Sequence, residues 1–153
     1  MLKVGDKAPD FTLKSDKDEN VKFSDYIGKS DIVLYFYPKD NTSGCTKEAC
    51  SFRDNIEPIK AKNAMVFGVS PDSVKSHQNF TNKQNLNFTL LSDPDHEVAE
   101  AYGAWGEKSM YGKKYMGIIR STFLIGKDGK IKHVFDKVKT AIHAEEVLEV
   151  LGN

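Results

Sequence analysis

The sequence is poor in cysteine, in surplus charge and in long apolar runs. Two cysteines among 153 residues are too few for a secreted scaffold that is held together by disulfides. The 22 basic and 22 acidic residues leave no net charge, so no cationic excess is available to neutralise a nucleic-acid backbone. The longest apolar run, residues 32–37, is far shorter than the roughly 20 residues of a membrane-spanning helix. The composition therefore argues against nucleic-acid and membrane partners.

The rest of the composition is typical of one folded domain. Hydrophobic residues make up 39% of the chain, and 11 glycines raise the apolar share into the range of globular domains. The length suits one core of ordinary size. Residues 1–6 contain no apolar stretch of the kind that directs secretion. We therefore expect a single domain over residues 1–153, located in the cytoplasm.

Strand signals occur in the middle and at both ends of the chain. Two segments, 31–37 and 64–70, are almost continuously apolar and predict strands that are buried on both faces of a sheet. Two pairs of short segments predict β-hairpins: residues 11–13 with 21–23, and residues 122–125 with 131–135. Residues 105–118, which contain three glycines among lysines and aromatics, are expected to form a long ordered loop.

Helical signals fall between the strands. One apolar stripe, formed by Ala49, Phe52, Ile56 and Ile59, predicts a single helix that begins at Cys45. Capping residues predict three further helix starts: Ser70 with Pro71, Asp93 with Pro94, and Thr140. Strands that alternate with helices indicate an α/β fold, in which a mixed central sheet is flanked by helices and preceded by an N-terminal β-hairpin.

The most informative segment runs from the end of a predicted buried strand into a predicted helix. It reads YPKDNTSGCTKEAC over residues 37–50, so that a polar turn with one glycine leads directly to Cys45. The start of a helix carries unpaired N–H groups and about half a positive charge, which favours a thiolate over a thiol. Because the thiolate is the nucleophilic form, this placement predicts a reactive Cys45.

Spacing alone leaves other interpretations of Cys45 and Cys50 open. Free cysteines are commonly small buried residues with a packing role. Structural zinc needs four ligands in close pairs. The histidines of the chain are not spaced along the sequence in the way that would complete such a site with the two cysteines. These histidines are His77, His96, His133 and His143. His133 and His143 are interpreted as surface or packing residues. A thioredoxin-type disulfide exchanger normally has two residues between its cysteines, whereas this chain has four.

The same segment closely resembles the active-site motif of the peroxiredoxins. The matching residues are Pro38, Thr42 and Cys45, followed by Thr46, Glu48 and Cys50. The Cys-x4-Cys spacing is similar to that of the bacterioferritin comigratory protein (PrxQ) subgroup. The likeness continues through residues 5–11 (GDKAPDF), 105–117 (WGEKSMYGKKYMG) and 120–123 (RSTF), and so covers nearly the whole chain. The chain departs from the common pattern at Ser43 and Gly126, where many members have a proline and an acidic residue.

The resemblance implies a thioredoxin-like fold and a thiol-dependent peroxidase. Such an enzyme reduces hydrogen peroxide and organic hydroperoxides in antioxidant defence, without a metal or other cofactor. Cys45 would be the peroxidatic cysteine, which attacks the peroxide and becomes a sulfenic acid. Cys50 would be the resolving cysteine, and it would form an intramolecular disulfide that thioredoxin or a similar dithiol reduces. Members of the subgroup are typically monomers.

The resemblance also assigns supporting roles around the thiol, to Pro38, Thr42, Glu48 and Arg120. Thr42 and Arg120, with the backbone N–H groups of Gly44 and Cys45, would bind the peroxide and stabilise the charge of the displaced oxygen. The proline would limit the access of water, and the glutamate would orient an arginine. Two rival functions stay open: a general thiol–disulfide oxidoreductase, and a non-enzymatic thioredoxin-fold binding or chaperone module.

Overall fold

Nine strands form two sheets in the computed structural model, which describes residues 1–152. The strands of the main sheet are β1 (Thr12–Ser15), β2 (Asn20–Lys22), β3 (Asp31–Phe36), β4 (Ala64–Ser70), β5 (Thr89–Ser92), β8 (Ser121–Ile125) and β9 (Ile131–Phe135). Strands β6 (Trp105–Met110) and β7 (Lys113–Ile118) form a separate two-stranded sheet. The main sheet has the order β2-β1-β5-β4-β3-β8-β9.

The helices cover the faces of the main sheet. They are α1 (Ser43–Asp54), α2 (Ile56–Ala61), α3 (Val74–Gln84), α4 (Glu97–Tyr102) and α5 (His143–Leu151). Short 3-10 turns lie at Phe23–Tyr26 and Thr140–Ile142. In the part of the chain that the structure describes, none of the helices is long and apolar enough to cross a membrane.

The strand β3 lies inside the sheet and is buried on both faces, as its apolar run predicted. It pairs in parallel with β4 and antiparallel with β8. Its even-numbered residues pack with α4 in one core, and its odd-numbered residues pack with α1, α3 and α5 in the other. The predicted α/β architecture is confirmed: a mixed central sheet, flanking helices and the N-terminal hairpin of β1 and β2.

The expected loop over residues 105–118 is wrong, because β6 and β7 form a regular antiparallel hairpin there. Its turn places Tyr111 at φ 51° and Gly112 at φ 78°. Two consecutive left-handed residues match the twist of a hairpin, but this position is usually filled by asparagine, aspartate or glycine. The tyrosine therefore gave no turn signal in the sequence.

The single helix expected from Cys45 to Ile59 is also wrong, because the chain breaks at Asn55 between α1 and α2. Pro58 accounts for the break: a continuous helix would need an N–H at residue 58 to bond the carbonyl of Asp54, and proline has none. The two helices still bury one continuous apolar stripe against the sheet.

The start of α3 was predicted three residues too early. Ser70 is the last residue of β4, and the helix is capped by Ser73, whose Oγ accepts a hydrogen bond from the Ser76 N–H at 3.1 Å. The predicted end of α4 at Gly103 is confirmed, since this glycine has a left-handed φ of 73°. The helix start predicted at Asp93 and Pro94 is also too early, since α4 begins at Glu97 with His96 as its N-cap. At the third predicted start, Thr140 begins a 3-10 turn, and α5 itself begins at His143.

Candidate active site

Sheet register brings the distant residues of the predicted site together. Phe36, the last residue of β3, lies opposite Ser121, the first residue of the antiparallel strand β8. The chain that leaves β3 toward α1 therefore lies beside the residue that enters β8, at the same end of these two neighbouring strands. Arg120 immediately precedes Ser121, which places its side chain beside the start of α1.

Cys45 lies in the first turn of α1 and is 1% exposed. The Nη2 atom of Arg120 donates a hydrogen bond to its Sγ at 3.2 Å. The backbone N–H groups of residues 43–45 have no carbonyl one turn earlier to bond, and the Thr42 side chain makes no capping bond to them. They remain available as donors next to the thiol.

Arg120 bridges the thiol to a buried carboxylate. Its Nη1 atom donates to Glu48 Oε1 at 2.6 Å, and the Glu48 side chain is completely buried. Glu48 follows Cys45 by three residues, so both side chains lie on one face of α1. Burial lowers the pKa of Arg120, but Glu48 and Cys45 outweigh it and leave the pKa raised. The guanidinium is therefore a permanent cation held between two acceptors.

Among residues 1–152, no donor reaches the second oxygen of Glu48. His143 on α5 lies close to this oxygen, with its Nε2 atom 4.0 Å from Oε2. That nitrogen faces the Thr122 hydroxyl at 2.8 Å, and the other ring nitrogen faces Glu146 at 3.0 Å. Burial lowers the pKa of His143, so the ring is neutral, donates to Glu146 and accepts from Thr122. Burial, only partly offset by Arg120, raises the pKa of Glu48 to about 7.

Thr42 is the N-cap residue of α1, but its hydroxyl is bonded to the main chain and not to the thiol. Its Oγ1 donates to the carbonyl of Lys39 at 2.8 Å instead of to Cys45. Rotation about the Cβ–Oγ bond redirects the hydrogen without moving the oxygen, so the group can still turn toward a bound molecule. Pro38 is half-buried and directly follows the last buried residues of the central strand.

Cys50 is half-buried, and its Sγ donates to Gln84 Oε1 on α3 at 3.6 Å. Both cysteines are free thiols. Five residues of intact helix separate their Cα atoms by about 9 Å, whereas a disulfide tolerates about 7 Å at most. The two thiols cannot bond while α1 is folded.

Two residues beside the site were missed in the sequence. His143 gave no signal, because its contact with Glu48 spans 95 residues of chain. Lys108 was part of the segment expected to be a loop, but it projects from β6 toward the site and is half-buried. Burial, and then the neighbouring Arg120, lower the pKa of Lys108. The β6–β7 hairpin therefore adds a second cation near the thiol.

Comparisons with known proteins agree with this geometry. A model of the AhpC/TSA family matches residues 4–134. Peroxiredoxin Bcp of Bacillus subtilis is 53% identical over 150 residues, which cover 98% of this chain and 95% of that protein. Peroxiredoxin Bcp of Escherichia coli is 49% identical and covers 98% of this chain and 96% of its own.

Solved structures give the same result. A PrxQ mutant of Xylella fastidiosa superposes with a TM-score of 0.93 at 40% identity, covering 99% of this chain and 96% of its own. A bacterioferritin comigratory protein of Xanthomonas campestris superposes with a TM-score of 0.87 at 40% identity, covering 93% and 90%; that work concerns its alkyl peroxide reduction activity. The thioredoxin-like fold with a buried thiol at a helix start is that of a thiol-dependent oxidoreductase. The chain belongs to the AhpC/TSA family, among the peroxiredoxins known as Bcp or PrxQ.

Replacing Glu48 by glutamine should remove a pH dependence of stability. An acid whose pKa rises from 4.5 to about 7 on folding stabilises the folded protein below about pH 4.5, and this contribution is lost as the pH rises through about 7. It amounts to about 3 kcal/mol at most. Urea unfolding across this pH range should show the decline in the wild type and not in Glu48→Gln.

The matched control for this experiment is Glu57→Gln, because the Glu57 side chain is 83% exposed. Its unfolding free energy should follow the wild-type pH dependence. If Glu48→Gln also kept the wild-type slope, Glu48 would not be the group that titrates.

Proposed function

We propose that Cys45 is the peroxidatic cysteine of a peroxidase that reduces hydrogen peroxide and organic hydroperoxides. The observation that carries the proposal is the hydrogen bond of 3.2 Å from Arg120 Nη2 to Cys45 Sγ. It brings a fixed cation to a thiol that already lies at a helix start, and a nearby cation favours the thiolate form. The guanidinium has further N–H groups that can bind a peroxide oxygen beside the sulfur.

In the first step the Cys45 thiolate attacks the terminal oxygen of the hydroperoxide. The S–O bond forms as the O–O bond breaks, so the sulfur is oxidised to a sulfenic acid and the peroxide is reduced. The displaced oxygen leaves as alkoxide or hydroxide and takes up one proton, which replaces the proton that the thiol released. Arg120, Thr42 and the N–H groups of Gly44 and Cys45 stabilise the developing negative charge.

In the second step Cys50 acts as the resolving cysteine. Its thiolate attacks the sulfenic sulfur, a disulfide forms, and the oxygen leaves as water. Because the folded α1 keeps the two cysteines about 9 Å apart, the start of this helix must unwind first. Thr46 and Lys47 follow Cys45 and are not buried, so the opening breaks chiefly the contact of Glu48 with Arg120 and costs less than unfolding the whole domain.

The cycle closes when a dithiol protein such as thioredoxin reduces the disulfide by two successive thiol exchanges. Both electrons come from that dithiol, so the proposal requires no cofactor. The β6–β7 hairpin beside the site, with Lys108, would contribute to the choice of peroxide. The monomeric state and the cytoplasmic location expected from the sequence stay predictions.

A single-turnover thiol count tests the proposed function. Reduced protein mixed with equimolar hydrogen peroxide should lose both thiols, at a rate far above that of free cysteine. Cys50→Ser should consume one peroxide per chain and stall as a trappable sulfenic acid, whereas Cys45→Ser should not react rapidly. A wild-type rate equal to that of free cysteine would leave a disulfide oxidoreductase or a binding module. Fast reaction of Cys45→Ser, with none in Cys50→Ser, would reverse the two roles.

Arg120 variants separate charge from geometry. Arg120→Lys keeps a cation but loses the planar pair of donors that holds Glu48 and Cys45 together. It should retain most of the thiolate, followed by its ultraviolet absorbance, and lose about tenfold or more in the peroxide rate constant. Arg120→Met should lower both quantities. Lys132→Met, at an exposed salt bridge with Asp31, is the control. Wild-type rate constants in both Arg120 variants would remove this residue from the site.

A further inference from the structure

Asp40 lies in the 37–42 loop, the segment that connects β3 to α1 and carries Pro38 and Thr42. Its side chain is 1% exposed, although the residues on either side of it reach the surface. Three groups contact its carboxylate: the Tyr37 hydroxyl at 2.6 Å, the Ser76 hydroxyl at 2.8 Å and His77 Nδ1 at 2.7 Å. The loop that leads to the thiol is therefore anchored from its buried side.

The partners of His77 fix where its protons lie. Its Nε2 atom is 2.9 Å from the carbonyl oxygen of Leu91 on β5, and a carbonyl can only accept, so Nε2 carries a proton. Its Nδ1 atom faces Asp40, whose oxygens also accept from two hydroxyls. A proton must therefore lie between Nδ1 and the Asp40 oxygen, and it joins the two side chains in a hydrogen bond of 2.7 Å.

A second carboxylate holds the main chain of the same loop. Asp72, between β4 and α3, accepts from the Asp40 N–H at 2.7 Å and from the Ser70 hydroxyl at 2.8 Å. Atoms of Asp40, Asp72 and His77 come within 4.8 Å of one another. Those of Asp40 and His77 are already engaged by hydrogen-bond partners, so the cluster is a closed network that ties the loop to α3 and β5.

The position of Asp40 in the loop links this network to the thiol. Asn41, the next residue, turns the chain with a left-handed φ of 64°, a conformation that asparagine tolerates. Thr42 follows at the helix start and donates to the carbonyl of Lys39, directly before Asp40. A shift of Asp40 would therefore displace Thr42 relative to Cys45.

We infer that His77 is a positioning residue for the peroxidase reaction: its hydrogen bond holds Asp40, and through Asp40 it fixes the 37–42 loop that carries Thr42 and Pro38. The inference rests on the proposed function. The inference distinguishes two parts of the site. The network holds the loop in place, and the start of α1, which has to unwind, lies outside the network. The loop can keep its conformation while the helix opens.

Two substitutions of His77 retain different halves of its hydrogen bonding. Asparagine places an amide donor near the Nδ1 position and can still hold Asp40, whereas glutamine places its donor near Nε2 and can reach only Leu91. In single-turnover reactions with hydrogen peroxide, His77→Gln should lower the second-order rate constant about ten- to a hundredfold, and His77→Asn should stay within about threefold of the wild type. The thermal midpoints of the two variants should fall by similar amounts.

Thr81→Val is the matched control, since Thr81 also lies on α3 but donates to Asp16, away from the loop. It should react at the wild-type rate. Equal rate losses in both His77 variants, or a loss in Thr81→Val as large as in His77→Gln, would reduce His77 to a packing role and overturn the inference. Slow reaction of the wild type itself would instead contradict the proposed function.

Nitrogen-15 NMR of the wild type keeps the inference testable if the variants do not fold. The Nδ1 signal of His77 should show a strong hydrogen bond to Asp40, with a shared proton that exchanges slowly with solvent. An Nδ1 atom with no such hydrogen bond would overturn the inference.

Discussion

The guanidinium of Arg120 serves two buried acceptors at once, the carboxylate of Glu48 and the sulfur of Cys45. Neither acceptor could be buried as an anion without it, because an unpaired charge in the interior is strongly destabilising. The arrangement also depends on the sheet: only the antiparallel pairing of β3 with β8 brings residue 120 to the start of α1. Sheet register, helix start and shared cation together create one site from two distant parts of the chain.

The first turn of α1 has to satisfy two opposing requirements. While folded, it presents free N–H groups and holds Cys45 beside Arg120, which suits attack on a peroxide. The same fold keeps Cys50 too far away for a disulfide. The two requirements fall in different places. The 37–42 loop before the helix is fixed by a buried hydrogen-bond network. After Cys45, Lys47 is exposed, and Glu48 is held by its contact with Arg120. The loop before Cys45 is therefore held in place, and the helix turn after Cys45 is the part that has to unwind.

The sequence predicted the elements whose signals are local. The apolar run at residues 32–37 identified the central strand, and the thiol at the start of the predicted helix identified Cys45. Arg120 entered only through the resemblance, since its contact with Cys45 follows from sheet register. His77 and His143 were invisible because their partners, Asp40 and Glu48, lie 37 and 95 residues away. The hairpin of β6 and β7 was missed because a tyrosine fills the turn.

Hydrogen exchange on the reduced and the oxidised protein tests most directly whether α1 is folded in the form that attacks the peroxide and unwound in the form that carries the disulfide. After one equivalent of peroxide, amides from residue 45 to about residue 53 should lose protection, while those of β3 keep theirs. Cys50→Ser, which stops at the sulfenic acid, should keep its α1 amides protected. A disulfide between Cys45 and Cys50 with α1 still fully protected would contradict this account.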